Sequence, residues 1–389
     1  MGFRILQVVQ EFSTAGGVET VAFELQRAWE AEGVPSTVIA RIAPAAEEMQ
    51  VRLITPWLTK IPTRGRWGQY FGRMVVVPIF TIAATLEVRR QKDAVTVSHG
   101  DTLAGDIVVV HAVNKASLAA KSRNGRQLWR LNPMHYWVSA RDFLMIDGLR
   151  FRRYVAVSQR VVQELMELHN VPRERIVVIP NGINLDRFRP SEADRASIRS
   201  EFNIPSYAPL LLFVGHEFER KGLRHVIDAL GKLPSDVRLL VIGSDKTEPY
   251  KKQATEVGAD GRVIFAGARS DMPALYSAAD AFVLPTAYET FSLVCMEALA
   301  CRVPIFATMV GGIEDYLEDG ANGFAIEPDG VDIAEKIGRV LEDPALLSRL
   351  REGAYATAQQ FGWPAIAKRY EMLLRQVWAE KAGERPPRP

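Results

Sequence analysis

The run Leu210–Gly215 (LLLFVG) carries no polar side chain, and a turn follows it before the helical spacing of Leu223–Leu233. A strand that is apolar on both faces needs cover on both, which a parallel sheet flanked by helices provides. The same strand–turn–helix unit recurs. Strands are read at Arg4–Gln10, Thr37–Ala40, Ala94–Ser98, Ile107–Val110, Tyr154–Ser158 and Arg175–Ile179. The series restarts at Pro209, with strands at Leu210–Gly215, Arg238–Gly243, Val263–Ala266, Ala281–Leu284 and Pro304–Ala307. Helices are read at Val18–Glu32 and Gln159–His169. The pattern predicts an α/β chain of two doubly wound, Rossmann-like domains, as 389 residues allow. The expected domains are residues 1–188 and 189–362, with a linker near Asp186–Pro190. A last helix, about 363–380, begins at Trp363-Pro364 and is expected to pack back on the first domain.

Composition excludes several classes. The chain is 48% hydrophobic and 24% charged, which is globular usage. Its two cysteines, Cys295 and Cys301, are spaced for neither a metal knuckle nor a redox pair, and read as buried reduced thiols. The N-terminal apolar run reads as a strand before a Gly-rich turn, not as a secretory signal. The charge-free stretch Met74–Leu86 contains Pro78 and, at 13 residues, is too short for a span. A cytoplasmic protein is expected, peripheral on the inner membrane face at most.

Charge is uneven: residues 1–190 carry 25 Lys/Arg against 17 Asp/Glu, whereas residues 191–389 carry 23 against 29. An anionic surface or substrate is expected to face the first half. Residues 49–86 hold five Lys/Arg and no acid, interleaved with Trp57, Trp67, Tyr70, Phe71 and Phe80. Residues 115–153 hold nine Lys/Arg against Asp142 and Asp147. Such segments suit an anionic lipid surface or a phosphorylated lipid acceptor, though a charged surface helix over core aromatics has the same pattern. No nucleic-acid module or sufficiently basic domain is visible. The tail ERPPRP (384–389) reads as disordered.

In doubly wound sheets, ligands bind outside the carboxyl ends of the strands. The turns after strands therefore hold the candidate chemistry. The densest is Pro285–Glu297 (PTAYETFSLVCME): Glu289 lies in the loop, Phe291, Ser292 and Leu293 start the next helix, and Glu297 lies one turn inside it. Free N–H groups at a helix start favour an anion such as a diphosphate, and carboxylates beside them accept hydrogen bonds from sugar or ribose hydroxyls. Alone, two acids at this spacing are ordinary solvated groups.

Their context differs. The segments FVGHEFERKG, FAGARSDMPALYSAADAFVLPTAYETFSLVCMEALACRVPIFAT and VGGIEDYLEDGANGFAIEPDG occur in this order along a region from Tyr154 to Pro328 and the two residues after it. That region resembles the retaining glycosyltransferases of family 4. The N-terminal half resembles them more loosely, through Gly16-Gly17 and the strand-end residues His99 and His111.

The resemblance implies a GT-B fold, with two Rossmann-like domains facing across a cleft. It implies a metal-independent, retaining hexosyltransferase without a cofactor. The donor is a UDP- or GDP-sugar, and the acceptor a lipid, lipopolysaccharide or other glycan. Arg220 and Lys221, in Glu219–Gly222 (ERKG), would hold the diphosphate and stabilise the leaving group, a task given to a divalent metal elsewhere. No Asp-x-Asp pair is present to hold such a metal. The Gly16-Gly17 amides would approach the donor, His111 would contact the transferred sugar, and His99 would line the acceptor side. Glu289 is assigned to sugar hydroxyls, or less readily to a nucleophilic role, and Glu297 to the ribose. Gly243, Ser244 and Arg269 are further donor contacts, and Gly311-Gly312 forms a turn nearby. Two departures stand out: His216 follows Gly215 where relatives have arginine, and Arg302 occupies a usual glycine position. A GT-B epimerase and a non-catalytic sugar-nucleotide-binding protein are the alternatives.

Overall fold

The computed structural model describes residues 2–14, 16–44, 49–63, 68–123 and 132–383. Arg64, Arg66 and Trp67 of the first basic segment, Arg126 and Arg130 of the second, and the tail 384–389 lie outside these, as does the side chain of Tyr70. The chain forms two compact units, one of Met1–Gly182 with Trp363–Pro389 and the other of Ile183–Gly362.

The first unit holds a wholly parallel seven-stranded sheet ordered β3-β2-β1-β4-β5-β6-β7. Its strands are β1 (Ile5–Val8), β2 (Ser36–Ala40), β3 (Val51–Leu53), β4 (Val95–Ser98), β5 (Gly105–Val110), β6 (Phe151–Ala156) and β7 (Ile176–Val178). Leu6 and Val8 of β1 pack with Ile39 against Val76, Phe80, Ala84 and Val88 of the helix Arg73–Arg90. Burial of each larger side chain contributes ~1.5–3 kcal/mol. On the helix Gly17–Ala31, buried Trp29 meets Tyr370 edge-on at 6.5 Å, and its indole N–H donates to the Ala367 carbonyl at 3.4 Å. These contacts seat the C-terminal helix Trp363–Gly383 on this unit.

The second unit holds a parallel six-stranded sheet ordered β10-β9-β8-β11-β12-β13. Its strands are β8 (Leu210–Val214), β9 (Arg238–Ile242), β10 (Val263–Gly267), β11 (Ala281–Leu284), β12 (Ile305–Ala307) and β13 (Gly323–Ala325). Central β8 and β11 are buried along their whole length.

The short strands β3 and β13 were not read from the sequence. Each has three residues at a sheet edge, too few to show a period, and β13 opens with a glycine. Cys295 and Cys301 are buried and unbridged. Arg302 adopts a left-handed φ of 60°, a conformation that suits the glycine it replaces. Its side chain lies 5.0 Å over Tyr355 and pairs with Glu352 at 2.7 Å. Among the described residues no helix is long and apolar enough to cross a membrane.

Candidate functional site

Strand order reverses between β8 and β11 in the second sheet, and at such a switch point the turns diverge to open a crevice. Residues 215–222 leave β8 here and residues 285–292 leave β11. The two loops are laced together. Lys221 is only 8% exposed, and its ammonium donates to Glu289 Oε1. The Thr286 hydroxyl donates to the same oxygen at 3.1 Å. Arg220 donates to the Tyr288 carbonyl at 2.7 Å and to Glu217 at 2.9 Å, and stands 3.6 Å from Glu289. The Ala287 N–H donates back to the Arg220 carbonyl at 2.9 Å.

Two glycines make this proximity possible. Gly222 has φ 80°, and a Cβ there would overlap the Pro285 carbonyl. Gly311, which opens the 3-10 turn Gly311–Asp315, has φ 64°, and a Cβ there would overlap the Glu289 carbonyl oxygen. Side chains are disfavoured at both positions by conformation and by space.

The loop after β11 runs into the helix Leu293–Ala300. Its N-cap, Ser292, sits at a left-handed φ of 66° and makes no side-chain cap, because its hydroxyl turns to the Cys295 sulfur at 3.3 Å. The first N–H groups, which have no intrahelical partner in any α-helix, thus receive no side-chain cap here, at the positive end of the helix dipole. Phe291 is fixed from behind: its ring packs on Tyr316 and Phe361, and the Tyr316 hydroxyl donates to its carbonyl at 2.9 Å. One turn on, Glu297 accepts a hydrogen bond from the Tyr276 hydroxyl at 2.8 Å. Burial pushes the Glu297 carboxyl up to about 7, against the smaller opposing effects of Tyr276 and Arg187.

Gly243 and Ser244 follow β9. The Ser244 N–H donates to His216 Nδ1 at 3.3 Å and its hydroxyl lies 3.1 Å from the same nitrogen, so this Nδ1 is an acceptor. Arg269 follows edge strand β10, two strands from β8. Its guanidinium is held by Glu201 and Asp271, each at 2.6 Å, and lies 5.7 Å over Phe202.

In the first sheet the order reverses between β1 and β4. Gly16 is the N-cap and Gly17 the first residue of the helix after β1, again without a side-chain cap. His99 immediately follows β4 and His111 immediately follows β5. His99 Nδ1 lies 3.0 Å from His111 Nε2, and His99 Nε2 lies 2.8 Å from Gln7 Oε1. Desolvation holds His99 well below the usual imidazole range, reinforced by the His111 ring, and lowers His111 to about 4. Both rings are neutral at pH 7. Sequence reasoning passed over Gln7, although it is the polar residue within the buried strand ILQV. It also passed over Asp101, which accepts the Gln10 N–H at 2.8 Å and is pushed up to about 6 by burial, against Arg141.

Two parallel α/β units, each with its candidate groups at the reversal of strand order, define the fold of the GT-B glycosyltransferases. Residues 15–187 match the Glycosyltransferase Family 4 model, and residues 194–357 match Glycosyl transferases group 1. The chain belongs to this glycosyltransferase family. It is 32% identical over 246 residues to the D-inositol 3-phosphate glycosyltransferase of Xylanimonas cellulosilytica, covering 60% of this chain and 58% of that one. The protein of the same name from Mycolicibacterium smegmatis is 34% identical over 223 residues, 54% and 50% of the two chains. The matched region thus spans about half the length of these curated relatives. Among solved structures, WaaG, a glycosyltransferase involved in lipopolysaccharide biosynthesis, superposes with a TM-score of 0.76 at 20% identity, covering 95% of this chain and 99% of that one. Anabaena HepE in complex with UDP and glucose superposes with a TM-score of 0.72 at 20% identity, covering 96% and 99%.

Proposed function

We propose that this chain is a retaining glycosyltransferase that moves a sugar from a nucleoside-diphosphate donor to a hydroxyl acceptor. One observation carries the reading: Lys221, Arg220 and Glu289 meet at the strand-order reversal beside an uncapped helix start. A diphosphate entering there meets an ammonium, a guanidinium and free backbone N–H groups, all aimed before the reaction begins. These charges stabilise the departing phosphate without a metal ion. Glu289, already held by Lys221 and Thr286, accepts from sugar hydroxyls, and Glu297 accepts from the ribose. The Gly16 and Gly17 amides assist at the phosphates, Gly243 and Ser244 line the donor, and Phe291, Ser292 and Leu293 shape the anion site. His111 orients the transferred sugar. In a front-face displacement the leaving phosphate takes the acceptor proton, so no protein base is required. An acid engaged by a cation is a poor nucleophile, which disfavours a covalent step at Glu289.

UDP- and GDP-sugars are the donors of choice, in keeping with the UDP complex of the HepE structure. The acceptor is a lipid, lipopolysaccharide or other glycan. The inositol phosphate named for the curated relatives makes a phosphorylated acceptor the first to try, and the basic first half suits it. An anionic membrane surface is a further partner. Phe71, Val75, Ile82 and Leu86 are close to half exposed or more, along and just before the helix Arg73–Arg90, with exposed Arg73, Arg89 and Arg90 beside them.

The test is transfer from a panel of UDP- and GDP-sugars to inositol phosphate and lipid acceptors, with product configuration read by NMR. A retained anomeric centre, and full rate after exhaustive chelation, are expected. An inverted product, or activity abolished by chelator and restored by a divalent ion, contradicts the mechanism.

A further inference from the structure

We propose that Gln7 and His99 form a hydrogen-bond relay that fixes the tautomer of His111, leaving His111 Nδ1 bare to accept a hydrogen bond from a hydroxyl of the transferred sugar. The inference rests on the reading of His111 as the residue that orients that sugar. Gln7 lies in β1, and His99 and His111 directly follow the neighbouring strands β4 and β5, at the carboxyl end of the first sheet.

The direction of every bond follows from one fixed end. The Ala22 carbonyl only accepts, so the Gln7 amide turns its nitrogen to it, at 2.9 Å, and its Oε1 to His99. That oxygen only accepts, so His99 carries its proton on Nε2. A neutral His99 then has a bare Nδ1, which must accept from His111 Nε2 at 3.0 Å. A neutral His111 with its proton on Nε2 has none for Nδ1. The two rings are inclined by 20° with centroids 5.3 Å apart, which keeps the donated proton near the plane of the accepting lone pair. Among the described residues, His111 Nδ1 has no hydrogen-bond partner.

Burial divides the roles. Gln7 and His99 are buried, while His111 is partly exposed. The first two act through the third and are positioning residues. Without them a neutral imidazole populates both tautomers, and one of these presents an N–H where the acceptor belongs. The relay makes the site selective for a ligand group that donates: a hydroxyl satisfies it, and a deoxy or O-methyl position does not.

The test uses the whole chain labelled with 15N at the imidazoles. In the wild type, at neutral pH and without ligand, both His99 and His111 should show protonated Nε2 and bare Nδ1. His99→Leu and Gln7→Leu should each move His111 to mixed tautomers. They should lower kcat/KM for transfer by about tenfold, the size of one hydrogen bond, with affinity for UDP or GDP unchanged. His99→Gln keeps a carbonyl toward His111 and an amide N–H toward Gln7, and should restore most of the rate. A wild-type His111 protonated at Nδ1, a His99→Leu enzyme as fast as wild type, or a His99→Gln enzyme as slow as His99→Leu would overturn the relay. The wild-type spectrum needs no variant, so a misfolded variant does not remove the test. Absence of any transfer by the wild type, with the tautomers as stated, overturns the functional reading and leaves the relay standing.

Discussion

At the residue scale, Glu297 is the group whose protonation is most exposed to experiment. Its carboxyl ionises near 4.5 in an unfolded chain and at about 7 in the fold, because burial penalises the charged form. Between those values the folded state holds more protons than the unfolded one, so this residue's contribution to stability falls as pH rises toward 7 and is largest below 4.5. Ribose hydroxyls are accepted better by the carboxylate than by the acid. Donor affinity should therefore rise from about pH 5 to about pH 8 while thermal stability, compared with Glu297→Gln, falls. Calorimetric titration and melting curves over that range read both. Affinity independent of pH in the wild type, or equally dependent in Glu297→Gln, would remove Glu297 from the ribose. Lys221 tests the other half of the crevice. Lys221→Ala leaves Glu289 partly buried without its ammonium, so loss of donor affinity should be accompanied by a modest loss of stability. Lys221→Ala with Glu289→Gln should recover stability and not affinity. Recovery of both would mean that the pair serves the fold alone.

At the element scale, the loops after β8 and β11 are positioned by glycines as much as by charges. Gly311→Ala would force a left-handed residue with its Cβ into the Glu289 carbonyl. A cost of ~1–2 kcal/mol is expected from conformation alone, and more from the overlap. Urea unfolding should show the loss, and donor binding should weaken with it because the Glu289 loop must move. Stability within ~0.5 kcal/mol of wild type would show that the loop yields freely. This scale also explains what could be read from sequence. The central strands were legible because unbroken apolar runs such as LLLFV have few other ways to be buried, and the site loops were legible as the polar turns after them. The edge strands β3 and β13 were not, since three residues carry no period. The Tyr276–Glu297 bond was not, because it joins side chains 21 residues apart across two helices. Arg269 was legible as a residue after a strand, but its capture by Glu201, 68 residues earlier, was not. Gln7 was visible as a polar residue in a buried strand, yet its partners depend on β4 and β5 lying beside β1 in that order, which hydrophobic pattern does not encode.

At the scale of the whole molecule, the first unit carries the apolar and basic surface and the second carries the acidic balance. If Phe71, Val75, Ile82 and Leu86 enter an interface flanked by Arg73, Arg89 and Arg90, the protein should pellet with anionic vesicles and not with neutral ones. Each basic residue near such a surface contributes ~1 kcal/mol, so the binding should fade with salt. Ile82→Ser with Leu86→Ser should weaken pelleting and leave nucleotide affinity unchanged, and equal partitioning onto both vesicle types would reject the membrane partner. The corner where Lys221, Arg220 and Glu289 meet is tested most directly by calorimetric titration of UDP and of GDP, in chelator, into the wild type and into Arg220→Ala/Lys221→Ala. At least one nucleotide should bind the wild type, and the double variant should bind it about a hundredfold or more weakly, as two charge-assisted hydrogen bonds of ~1.5–3 kcal/mol each are lost. Binding of neither nucleotide by the wild type, or equal affinity in the folded double variant, would contradict the assignment of that corner to the diphosphate.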